Sequence, residues 1–311
     1  MSSHASSIVT PTLVSEANPV TPPAESDAGL QRQNADWWQT NPMIYDNFRG
    51  GLPMQSRTRE WYEEIDRRFF DEVTSWFAQA PGERPFSALI PFERLKGKRV
   101  LEIGCGSGAH ARLLAEAGCD LTCVDLTREG VEMTRERLRV YGLHADVRQM
   151  DAERLEFPDE SFDFVWSWGV IHHTADTEAV VRQIARVLKP GGETRLMVYH
   201  RRSFFALWIL AAGLASGRLF RQRFDDVLNH YADGALARFY TRRQFADLLR
   251  TRLDDVTTGV LGQKNELLPL PGNGGLAELK IRISRHIPTA VCDALLRRWG
   301  YFLWATARKP A

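Results

Sequence analysis

The run Val100-Leu101-Glu102-Ile103-Gly104-Cys105-Gly106-Ser107-Gly108 sets three alternating glycines directly after an apolar segment, and a second apolar segment ends in Cys123-Val124-Asp125 about 20 residues on. Glycines at a strand tip let the backbone turn at positive φ and let a ligand approach without meeting a Cβ, while the later carboxylate can hold both hydroxyls of a ribose. The pair therefore reads as a nucleoside site. A dinucleotide turn needs G-x-G-x-x-G, with the pyrophosphate on the N-terminus of the following helix. Gly104, Gly106 and Gly108 read G-x-G-x-G instead, and Glu102 just upstream would repel a pyrophosphate while suiting an ammonium group. The expected ligand carries no phosphate, which disfavours a nicotinamide oxidoreductase.

Further along, Ala145 to Met150 reads as a third strand ending at Asp151-Ala152-Glu153. Phe162 to Trp168 reads as a fourth strand running into the loop Gly169-Val170-Ile171-His172-His173, and Ile184 to Gly192 as a helix end before a fifth strand that finishes at Tyr199-His200. In this order, from Val100 to about His200, the segments resemble the motif chain of class I S-adenosylmethionine (SAM) methyltransferases, and within them the UbiE-like, type 11 family. The resemblance implies an α/β, Rossmann-like fold with a seven-stranded, mostly parallel sheet, an antiparallel last strand and helical cap insertions. It also implies SAM as cofactor, with its methionine end over Glu102, Gly104, Cys105, Gly106 and Gly108 and with Tyr45 near the carboxylate. Its ribose would lie on Asp125, its adenine near Leu126, Asp151 and Ala152, and Trp168 and Val170 would border it. Cys105 reads more readily as a packing residue between turn glycines than as a reactive thiol.

Methyl transfer from a sulfonium is an in-line displacement that asks the protein mainly for positioning and a dry site. A hydroxyl acceptor must also lose its proton, and imidazole is the side chain best poised to take it. His172 and His173, in the loop that faces the methyl group in the resembling family, are the first candidates, and His200 is the next. Some quinone-related relatives carry a Glu-His pair in this loop that helps hold a metal; here His172 replaces the acid, so no metal site is expected.

Composition narrows the partners. With 40 Lys and Arg against 39 Asp and Glu in 311 residues, the net charge of +1 gives no field for nucleic acid. Cys105, Cys119, Cys123 and Cys292 show neither zinc spacing nor a disulfide framework, and no signal peptide is legible at the N-terminus, so a cytoplasmic protein is expected. The chain divides into a Ser/Pro-rich disordered tail (1–30), a helical cap segment (31–94) with Trp37, Trp38 and a helical stretch from about Arg59 to Phe77, and a SAM-binding core (95–202). A helical insertion (203–240) and a C-terminal completion of the sheet with a cap loop and helix (241–311) follow.

Within the insertion, Phe204 to Leu214 is apolar all round and flanked by Arg201, Arg202, Arg218, Arg221 and Arg223. It is too short to span a bilayer, which leaves a buried helix, a wall of a lipophilic pocket, or a helix at a membrane surface. The leading reading is a methyltransferase acting on a small molecule, at a hydroxyl of a secondary metabolite, sugar or quinone-like lipid. A carbon or nitrogen acceptor, and a SAM-binding protein without catalysis, are the alternatives. Oligomeric state is left open by the sequence.

Overall fold

The computed structural model describes residues 27–44, 52, 54–73, 77, 83–269, 279–280, 282–284 and 286–311. The expected tail up to residue 26, and Tyr45, lie outside the described residues. Residues 27–30, expected to belong to that tail, instead form the first turn of helix α1, Asp27–Thr40. Its sequence has a weak apolar stripe but tertiary partners, and packing rather than propensity decides most helix stability.

The sheet holds eight strands: β1 (Arg99–Ile103), β2 (Asp120–Asp125), β3 (Asp146–Gln149), β4 (Phe162–Trp168), β5 (Leu188–His200), β6 (Phe239–Tyr240), β7 (Asp254–Leu261) and β8 (Phe302–Arg308). Their order is β3-β2-β1-β4-β5-β8-β7, with β8 antiparallel to both neighbours, and the two-residue β6 pairs with β5 off this path. The seven-stranded, mostly parallel sheet with an antiparallel last strand is thus as expected, and β6 is the addition. Register aligns the strand tips: Ile103 lies opposite both Val124 and Ser167, and Trp168 opposite Met197. Ligand loops therefore leave one edge together.

Helices α4 (Ala109–Glu116) and α5 (Arg128–Val140) cover one face, where Leu113, Leu114 and Leu138 pack with Val100, Cys123 and Phe164. On the other, α6 (Thr177–Val187) and α9 (Arg242–Arg250) set Val180, Ile184, Phe245 and Leu249 against Leu101, Val165 and Leu303. Helix α9 starts at Thr241 as expected, in a capping box: Thr241 accepts from the Gln244 amide and the Gln244 side chain accepts in return. Further helices among the described residues include α2 (Arg59–Asp66), α3 (Phe92–Leu95), α7 (Phe204–Ala215), α8 (Phe224–Tyr231) and α10 (Thr289–Trp299). The long helix expected from Arg59 is α-helical only to Asp66 and continues as a π-helical turn, Arg67–Val73.

Helix α2 docks on the core through one buried ion pair. Arg137 of α5 is fully buried, bonds Asp66 at the end of α2, and lies 4.5 Å over the Tyr62 ring. Arg112 reaches the second Asp66 oxygen at 3.3 Å, and the Tyr62 hydroxyl donates to Met133 O at 2.9 Å. Removing one member of such a pair strands a charge without water. Asp66→Ala is therefore expected to cost about 3 to 5 kcal/mol, read as a lower midpoint in urea unfolding, while Asp66→Ala combined with Arg137→Leu should recover much of that loss.

Candidate active site

The cavity lies where β1, β2, β4 and β5 end. Gly104 and Gly106, both at positive φ, form its floor, and a Cβ on Gly104 would come within 2.2 Å of the Val170 side chain. Only glycine lets the first strand tip and the loop after β4 meet this closely. Asp125 lines the cavity with both oxygens anchored: one accepts from the Gly106 amide at 2.9 Å, the other from the Thr127 amide at 2.9 Å and its hydroxyl at 2.7 Å. Burial lifts its carboxyl above the ordinary range, and these bonds oppose the lift. Gly130 in the next helix turn makes room, since a Cβ there would lie 2.6 to 2.8 Å from the carboxylate atoms.

Leu126, Met150 and Ala152 continue the wall, followed by Trp168, Gly169, Val170 and His173 from the loop after β4. That loop makes a 3-10 turn over Ile171–His173, so the two histidines point differently. His173 enters the wall. Its Nδ1 lies 2.6 Å from Leu236 O, and because a carbonyl only accepts, Nδ1 carries the hydrogen and Nε2 the lone pair. Nε2 is buried with no partner among the described residues. Burial pushes the imidazole down to about 4, against the pull of the Leu236 bond. His172 is fully buried behind the wall, its ring 3.9 Å from that of Tyr199, and burial followed by repulsion from His173 drives its pKa well down. His200 lies elsewhere, donating from Nδ1 to Gly300 O at 3.0 Å, and does not line the cavity.

Several expected cofactor residues also stand outside the wall. Glu102 is buried behind the glycine turn, receives a weak thiol hydrogen bond from Cys123 at 3.5 Å, and is lifted to about 8 by burial. Cys105 is packed in the core cluster, and Gly108 caps α4. Asp151 faces the cap: its Oδ1 accepts from Gln31 Nε2 at 2.9 Å and from the Glu153 amide at 2.9 Å. Gln31 Oε1 in turn accepts from the Ala175 amide at 3.1 Å, so one side chain latches α1 across the loops after β3 and β4.

Further residues complete the site, among them Trp38 of the expected cap and Tyr199 at the end of the fifth strand. Gln31, Asn34 and Trp38 of α1 close the top, with Trp38 5.1 Å from the His173 ring and Asn34 Oδ1 buried without a partner among the described residues. Met197, Tyr199, Phe302 and Gln263 form the far end, and Tyr301 hydrogen-bonds Tyr199 from below. The polar Gln31 and Asn34 on one helical face were the available signal; Phe302 and Gln263 gave none. Among the described residues no group of three His, Cys, Asp or Glu side chains is arranged to hold a metal ion.

Buried titratable groups make stability depend on pH in both directions. Glu102, Asp233 and Glu266 are each lifted to about 8 by burial. Above about pH 4.5 the unfolded chain has lost these protons while the folded chain keeps them up to about pH 8, so stability falls as pH rises across that window. His110, at about 3, and His173 and His200, at about 4, stay neutral when folded, so their contribution is lost as pH falls from 6.5 toward 4. Between pH 5 and 6.5 the three carboxyls and the three imidazoles offset one another, so the melting temperature of the ligand-free protein should change little there and drop from pH 6.5 to 8; a curve rising steadily to pH 8 would contradict this burial.

Residues 101–196 match the model of a methyltransferase domain. The chain is 33% identical over 145 residues to a phosphatidylethanolamine N-methyltransferase of Cereibacter sphaeroides, covering 46% of this chain and 68% of that protein. It is 34% identical over 148 residues to a ubiquinone biosynthesis O-methyltransferase of Xanthomonas euvesicatoria pv. vesicatoria, covering 44% of this chain and 61%, under two thirds, of that relative. Among solved structures, the PH0226 protein of Pyrococcus horikoshii superposes with a TM-score of 0.50 at 14% identity, over 86% of this chain and 96% of that one, which is a likeness of fold alone.

Proposed function

The chain belongs to the class I SAM-dependent methyltransferases, and from that premise we propose that it methylates a hydroxyl oxygen on a flat, lipophilic small molecule, with His173 as the general base. The observation that carries this reading is the lone pair of His173 Nε2, fixed by the bond from Nδ1 to Leu236 O and left without a partner in the cavity wall. A second imidazole with the same freedom at the wall is not found among the described residues.

The cavity suits SAM on its own geometry: a glycine turn that a Cβ would close, a carboxylate held by three donors at the tip of β2, and a lining residue, Asn34, whose buried oxygen has no partner among the described residues. Asp125 would hold the ribose hydroxyls, Leu126, Met150 and Ala152 would flank the base, and Gly104 with Val170 would border the methionine end. Bound there, SAM supplies an electrophilic methyl group. Glu102 acts from behind the turn in this reading, since at neutral pH its buried carboxyl holds a proton and gains charge only when a cation arrives.

For the acceptor, Trp168, Met197, Tyr199 and Phe302 offer flat or apolar surface beside His173, which favours an aromatic or quinone-like ring over a bare sugar. His173 accepts the hydroxyl proton at Nε2 and leaves the oxygen nucleophilic; its bond to Leu236 keeps the ring aimed while the charge develops. Latching of α1 by Gln31 keeps water out of this space. The phosphatidylethanolamine relative favours a second reading, a nitrogen acceptor, for which a neutral amine attacks without a base.

These readings separate on His173. With a hydroxyl acceptor, His173→Gln should lower kcat by roughly 10² to 10⁴ with SAM affinity and melting temperature retained, whereas His172→Asn should act mainly on stability. The acid limb of kcat/KM should fall near pH 4, where His173 protonates, and not near 6.5. A His173→Gln enzyme within a few fold of the parent would remove the base and favour nitrogen.

A further inference from the structure

A helix on the surface of a protein in water turns polar side chains outward, and α7 does not. From Phe204 to Ala215 it contains no polar side chain. Phe205, Ile209 and Gly213 form its inner face, while Leu207, Leu210, Ala211 and Leu214, spaced as one helical stripe, are exposed. Leu207 is 48% and Leu214 52% accessible, and Phe220, in the turn that follows, is 83% accessible. Trp299 at the end of α10 extends the apolar surface, its ring 5.9 Å from Phe204.

The rim of this surface is cationic. Residues 201–226 hold five arginines and two aspartates, a balance of 5 − 2 = +3. Arg201 pairs with Asp225 and Arg218 bonds the Tyr231 hydroxyl, but Arg202, Arg221 and Arg223 are exposed with no acidic partner among the described residues. A leucine stripe with arginines at both ends matches the profile of a bilayer, apolar inside and anionic at its surface. At about 1.5 Å per residue the helix is too short to cross the roughly 30 Å hydrocarbon core, so it would lie in the plane of the interface.

We infer that α7 and the Phe220 turn form a docking surface for an anionic lipid bilayer, with Leu207, Leu210, Leu214 and Phe220 entering the headgroup and acyl boundary. The same helix reaches the cavity from its inner side. Phe205 packs 4.9 Å from the ring of Tyr301, which bonds the cavity residue Tyr199, and Trp208 donates to Glu266 O, three residues from the cavity residue Gln263. Docking would thus set the acceptor end of the site close to the membrane, a consequence that rests on the lipophilic acceptor proposed above; the docking itself does not.

Co-sedimentation of the full chain with vesicles, without donor or acceptor, tests this independently of catalysis. The parent protein should pellet with phosphatidylcholine vesicles containing phosphatidylglycerol, less with phosphatidylcholine alone, and progressively less as salt rises. Leu210→Ser with Leu214→Ser, and separately Arg221→Gln with Arg223→Gln, should each reduce anionic partitioning by roughly tenfold or more, with melting temperatures close to the parent. Absence of pelleting with either vesicle, or equal pelleting by parent and variants, would overturn the inference. So would a dimer in light scattering that the leucine variant abolishes without any vesicle binding, which would assign the face to a second copy of this chain.

Discussion

The Asp125 carboxylate is the group on which the rest of the site depends. A carboxylate withdrawn from water is costly unless its lone pairs are met. Here the amide of Gly106 and the amide and hydroxyl of Thr127 meet them, and these donors come from two different parts of the ligand edge. Satisfying Asp125 therefore ties the first glycine turn to the second strand tip and to the start of α5. Gly130 leaves the space it occupies, and Gly104 lets Val170 close in from the fourth strand. The glycines are required less for their own flexibility than for what they allow to approach.

Around this anchor several titratable groups are buried, and burial sets their state. Imidazoles lose affinity for protons and carboxyls gain it, so His173 stays neutral and Glu102 stays protonated at neutral pH. A neutral imidazole is in the form that accepts a proton, whereas a protonated carboxyl has to give up its proton before it can pair with an arriving cation. Helix α1 covers one side of the cavity, held by Gln31 between Asp151 and the Ala175 amide.

What could be read from the sequence was local in the chain. The strand-turn-helix segment from Val100 and the Asp125 tip follow from glycine spacing after short apolar runs, and the structure keeps Gly104, Gly106 and Asp125 in the cavity wall. The mostly parallel sheet with its antiparallel last strand followed from the resemblance that the motif chain carries. Asp151 shows where this reasoning stops: it was expected at the adenine, yet its carboxylate is taken by a glutamine 120 residues earlier, a contact that no local pattern encodes. His172 and His173 are adjacent in sequence and equal in type; only the 3-10 turn and the carbonyl of Leu236 set one of them, His173, in the cavity wall with its tautomer fixed. The insertion after β5 was left among three readings, because hydrophobicity alone does not say which face of a helix is covered.

Titration of SAM into the parent protein and the Asp125→Ala variant by calorimetry tests the central claim most directly, that this carboxylate is the donor's anchor. Loss of a charged acceptor for the ribose hydroxyls predicts weaker binding by roughly 1.5 to 3 kcal/mol, in a variant that still melts cooperatively. Unchanged affinity in such a folded variant would contradict the account.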